Sequence, residues 1–190
     1  MAEAITPAVH GGKRGPYLVA SALHVAGATI AAALLGLALG AIGALLKAPW
    51  ETATPALVAG AGLVYFVREA FAAPVPLPDL RRQVPEWWRT FYSPAIAALL
   101  YGAGLGVGVL TYLSFGTFAV VIAGAVASGD PATGALLCAP FGLARGLAVL
   151  AATWRDRGIE PLEALGASRG PRLANAAVLA AVVGAAAAGV

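Results

Sequence analysis

The side chains able to do chemistry are few and sit in apolar surroundings. Thr111, Tyr112, Ser114 and Thr117 cluster within residues 94–128, a stretch otherwise apolar and free of charge. Their hydroxyls can satisfy backbone groups where a helix opens, and can line a path for a polar solute. Arg145 follows in the next apolar block, about nine residues or roughly 13 Å from Trp154. A charge at that depth costs at least about 2.5 kcal/mol unless it snorkels or pairs. Arg145 is therefore either a structural cation or a charge on a substrate path. His24 lies inside the first apolar block, as a neutral hydrogen-bonded packing residue or as a proton or ligand site. Cys138 is the single cysteine, so no internal disulfide and no CxxC pair is available, and it reads as a small packing residue. Two histidines are too few for a histidine cage. No metal centre and no cofactor is expected. No acidic, His or Cys pair shares one depth with catalytic spacing, so no catalytic residue is assigned.

The elements that must position these groups are membrane helices. Hydrophobic residues make up 60% of the 190 and charged residues 11%, against about 25% charged in soluble domains. The expected fold is all-α and integral to the membrane: a compact bundle of five transmembrane helices around a Gly-rich, broken central helix. Residues 1–17 form a polar N-terminal segment, and residues 18–190 form one transmembrane domain. The first span covers residues 18–46, far longer than the roughly 7–15 apolar residues of a signal peptide. Its Gly36 and Gly40 share one face at the spacing that lets helices pack closely. The second span covers residues 56–71 and ends at Arg68 and Glu69. Adjacent helix positions do not face each other, so these two are expected to be interfacial or to pair with other helices, not with one another. Residues 80–91 alternate Leu80, Val84, Trp87 and Phe91 with arginines, as an interfacial amphipathic segment does.

The central stretch, residues 94–128, would reach roughly 50 Å as one straight helix, against a hydrocarbon core of about 30 Å. It either tilts as one tightly packed helix or breaks. Gly102, Gly104, Gly106 and Gly108 lower the cost of departing from helix and allow close packing. The break is expected between residues 110 and 117. Residues 132–154 form the fourth span, with Pro140 inside, and residues 173–190 form the fifth. The inside segments hold nine of the Lys and Arg residues when the N-terminus is cytoplasmic, and the outside loops hold Lys47. This asymmetry orients the protein in the plasma membrane with its N-terminus cytoplasmic and its C-terminus outside. The net charge of +3 is a topology signal, and no nucleic-acid partner is expected.

Several segments together resemble the cytochrome c biogenesis and DsbD-type (CcdA-like) transmembrane family. LHVAGATIAAALLGLALGAIGALL is similar to an early span, and LVYFVREAF to the next. YGAGLGVGVLTYLSFGTFAVVIAGAVASGDPATGALLCAPFGLARGLAVL resembles a later pair, in which a Gly-rich entry leads into a helix break. The resemblance implies a bundle around a broken helix. It does not carry over the family's redox dithiol, because Thr111–Gly116 holds neither the cysteine nor the proline expected there.

Two functional readings follow. In the first, the chain is a small carrier that moves a solute, ion or reductant past the broken helix. In the second, it is a non-catalytic subunit packed against other membrane proteins in a larger complex. Its surroundings in either case are the lipid bilayer.

Overall fold

The computed structural model describes residues 9, 11, 13–78, 87–108, 113, 115–153 and 168–188. Every regular element among them is a helix. Helix α1 (Arg14–Leu46) is an Ala-, Leu- and Gly-rich run whose one proline, Pro16, falls in the first turn, where no intrahelical bond is lost. It stops at Lys47, which takes a left-handed φ of 47°, with Pro49 following. Helix α2 (Trp50–Phe71) ends at Ala72, again left-handed, ahead of Pro74. After α3 (Trp88–Phe91) comes α4 (Pro94–Gly106), which Ser93 caps by accepting from the Ile96 N–H, with Pro94 in the first turn. Helices α5 (Thr117–Ala127), α6 (Pro131–Thr153) and α7 (Arg169–Ala188) complete the described chain. Asp130 caps α6, its Oδ2 accepting from the Thr133 N–H at 2.6 Å.

Among the described residues, three helices are long and apolar enough to cross a membrane: Arg14–Leu46, Pro131–Ala151 and Arg169–Ala188. The all-helical membrane architecture expected from composition is present, although five spans were expected. Helix α2 is not among the three, and the central stretch is divided. It forms two shorter apolar helices, α4 and α5, rather than one. The described residues between them, Val107, Gly108, Leu113, Phe115 and Gly116, are not helical. Helix α4 stops at Gly106, ahead of the expected 110–117, because Gly108 turns left-handed at φ 70°. Thr111, Tyr112 and Ser114 lie outside the described residues, as do most of the expected interfacial segment and the loop after α6.

The described residues fall into two compact units. Unit one draws on Met1–Ala33, Asp79–Tyr112 and Ala139–Ala164. Its apolar centre is Tyr17, Ala97 and Tyr101, with Trp88, Val149 and Leu150 packed against them. Here α1 and α4 touch backbone to backbone. A Cβ on Gly102 would lie 2.0 Å from the His24 carbonyl oxygen, and one on Gly106 would lie 2.0 Å from that of Ala28. Gly104 is buried in the same helix.

Unit two draws on Leu34–Pro78, Leu113–Cys138 and Leu165–Val190. Its α1 and α6 segments meet the same way: a Cβ on Gly36 would lie 2.1 Å from the Gly134 oxygen, and one on Gly40 would lie 2.3 Å from that of Asp130. Helix α2 packs along α7 and α5. Phe118, Leu179, Cys138 and Glu69 are its largest fully buried side chains.

Candidate functional site

Glu69 has no exposed surface, and it stands in unit two near the end of α2, where α5 begins. Its Oε1 accepts two hydrogen bonds, from Arg68 Nη1 at 2.5 Å and from the Gly116 backbone N–H at 3.1 Å. Gly116 is the residue that precedes α5, so the carboxylate sits where a helix presents unsatisfied N–H groups and positive dipole. The Gly116 position has no room for a side chain, since a Cβ there would lie 2.3 Å from the Tyr65 ring. The glycine lets Tyr65 lie flat on the turn and lets Glu69 reach the backbone.

Two arginines bond Glu69, Arg68 at its carboxylate and Arg172 at its backbone carbonyl. Arg68 also donates from Nε to the Val75 carbonyl at 3.0 Å, and Arg172 at the start of α7 donates from Nε to the Glu69 carbonyl at 3.0 Å. The Tyr65 hydroxyl donates to the Pro76 carbonyl at 3.2 Å. Together these contacts tie the end of α2 and the segment after it to the first turns of α5 and α7. One residue beyond Gly116, the Thr117 hydroxyl donates to Asn175 Oδ1 on α7.

Two polar atoms of this constellation are buried without a partner among the described residues: Glu69 Oε2 and Asn175 Nδ2. One is an acceptor and the other a donor, each on a group whose second atom is fixed at neighbouring residues, Gly116 and Thr117. A buried polar group without a partner costs about 1–3 kcal/mol. Each atom can therefore take up one further hydrogen bond, Glu69 Oε2 as an acceptor and Asn175 Nδ2 as a donor.

The expected site residues separate. Thr117 belongs to this constellation. Arg145 belongs to unit one, where its Nη1 donates to the Leu105 carbonyl at 3.1 Å and its guanidinium lies 5.5 Å from the Phe141 ring centre. It is half-buried and stands at the end of α4, adding a side-chain donor to the Leu105 carbonyl, which the Gly108 N–H also reaches at 3.2 Å. His24 is buried, with Nδ1 3.3 Å from the Ala98 carbonyl. Cys138 is buried against the Gly36 contact. No group of three or more His, Cys, Asp or Glu that could hold a metal occurs among the described residues.

One reading requires correction. Arg68 and Glu69 bond each other as well as other elements, although adjacent helix positions point apart. The spacing rule describes Cβ directions, and a long arginine side chain can bend back to a neighbour's carboxylate. The sequence carried two signals for this site that went unused. Glu69 is an acid at the end of an apolar block, and Asn175 is the single asparagine of the chain.

No family model matches the chain, and no solved structure matches it. It is similar to the methylamine utilization protein MauF of Paracoccus versutus, 36% identical over 135 residues, which is 70% of this chain and 49% of that protein. MauF of Paracoccus denitrificans is 34% identical over 134 residues, 70% of this chain and 48% of that one. MauF of Methylophilus methylotrophus is 34% identical over 128 residues, 66% and 45% of the two chains. The chain spans about half the length of the curated relatives it matches. These relatives overturn the resemblance to the cytochrome c biogenesis and DsbD-type family, which is a different one. That resemblance rested on glycine spacing and hydropathy, which any closely packed pair of membrane helices shares.

Proposed function

We propose that this chain is a multi-pass membrane protein serving methylamine utilization as a carrier, which moves a small solute, ion or reductant past the α4–α5 interruption. The pathway comes from the name of the relatives, methylamine utilization protein MauF. The observation that carries the transport reading is the fully buried Glu69, fixed at the start of α5 with one oxygen unpartnered. Interrupted helices with polar groups at the opening are how many carriers bind solutes at membrane depth. In this reading α1, α2, the α4–α5 pair, α6 and α7 make five crossings of the plasma membrane. The same reading puts the N-terminus in the cytoplasm and the C-terminus outside, an orientation that the Lys and Arg distribution supports.

The test is genetic. Deletion should abolish growth on methylamine and leave growth on succinate intact. A Glu69→Ala copy should fail to restore it at normal membrane abundance, with Glu69→Gln intermediate. Normal growth of the deletion strain on methylamine would remove the pathway assignment. Full restoration by Glu69→Ala would remove the carrier reading.

A second reading has its own observation. Helix α7 exposes Ala177, Ala181, Gly184 and Ala188, and among the described residues nothing lies within 4 Å of where a Cβ on Gly60 of α2 would stand. Small-residue faces of this kind suit a partner helix, as in a subunit of a larger membrane complex. Recovery of a stoichiometric membrane partner from native membranes, together with restoration by Glu69→Ala, would favour it.

A further inference from the structure

Unit one contains a second pair of unsatisfied polar atoms. Ser21 Oγ and His24 Nε2 make no hydrogen bond among the described residues, although Ser21 is 7% and His24 1% exposed. They lie three positions apart on α1, so they share a face with roughly 5–6 Å between their Cβ atoms. Tyr17, also buried, lies one turn earlier on that face.

The His24 ring is held in place. Its Nδ1 lies 3.3 Å from the Ala98 carbonyl, and a carbonyl can only accept, so Nδ1 carries the hydrogen. In the neutral ring Nε2 is then a bare acceptor. One turn past Ala98, the backbone of Gly102 presses on the His24 carbonyl, and Gly146 of α6 approaches Val25. The residue is buried, so the ring does not meet bulk solvent. An unmade buried hydrogen bond costs about 1–3 kcal/mol, and two unmade bonds one turn apart mark a place for a third group.

We infer that Ser21 and His24 bind one small neutral protic molecule, which donates a hydrogen to His24 Nε2 and is bridged to the Ser21 hydroxyl. Two hydrogen bonds of about 2.8–3.0 Å span the distance between such neighbouring side chains. Water and a small primary amine share this chemistry.

The test uses the full chain in lipid nanodiscs, with His10→Ala leaving His24 as the one histidine and its ring labelled with 15N. Solid-state NMR should show Nε2 as a hydrogen-bond acceptor. A cross-peak from water protons identifies water. Its replacement, on adding 13C-methylamine, by a cross-peak to the methyl carbon identifies the amine. Ser21→Ala should lose most of the cross-peak and Ser21→Thr should keep it. A bare Nε2 resonance with neither cross-peak overturns the inference, as does a cross-peak unchanged in Ser21→Ala.

Discussion

Gly116 has a demanding role for a residue with no side chain. It gives its N–H to Glu69 and its open side to Tyr65, and a methyl group there would lie 2.3 Å from the ring. Gly116→Ala is expected to cost about 1–3 kcal/mol through overpacking. Tyr65→Ala in the same chain should recover part of that loss, read as thermal unfolding in detergent. Equal loss in the single and double variants would mean that the ring is not what constrains the turn. Cys138, buried with no described role beyond packing, should tolerate Cys138→Ala with growth on methylamine retained. At this scale the sequence was partly legible. The lone asparagine and the acid in an apolar block were visible, but burial of Glu69 was not. A carboxylate at a helix end reads as interfacial until the N-terminus of another helix, distant in sequence, is known to meet it.

Close helix contact in this protein goes through glycine, and the glycines are not equivalent. Gly106 lies where a Cβ would meet the Ala28 oxygen at 2.0 Å, whereas Gly60 faces open space within α2. Gly106→Ala should therefore destabilise by about 1–3 kcal/mol. Gly60→Ala should stabilise by roughly 0.5–1 kcal/mol, because alanine loses less backbone entropy in a helix. If both changes moved the unfolding temperature in the same direction, contact would not be the deciding factor. The cap of α6 gives a pH dependence. The Thr133 backbone N–H, with help from its side chain, holds the Asp130 carboxyl below its usual value. A depressed carboxyl stabilises the folded state above its unfolded pKa, and that contribution is lost as pH falls through the folded value. Asp130→Asn should flatten this part of the acid limb of the unfolding curve. The start of α4 at Pro94 was legible from the apolar stretch that begins there, and α6 starts at Pro131, one residue before the expected 132. The end of α4 was not legible, since alternating glycines do not reveal which of them turns left-handed.

For the molecule as a whole, membrane residence was legible because composition alone excludes a soluble core, while the family was not, because spacing patterns are shared across membrane bundles. The orientation can be checked directly. In a Cys138→Ala background, a cysteine placed at position 130 should react with an impermeant thiol reagent on intact cells, and one at position 83 should not. The reverse labelling would invert the topology. The composition of the two units bears on how the protein is made. Neither is a continuous piece of chain: each draws on three separated segments, and both take part of α1 and part of α6. During translation, α2 and α5 leave the ribosome long before α7. Until α7 arrives, the Glu69 carbonyl lacks Arg172 and Thr117 lacks Asn175. The nascent protein must therefore hold an incomplete polar centre in the translocation machinery, and a ribosome stalled before residue 169 would display that centre to membrane quality control.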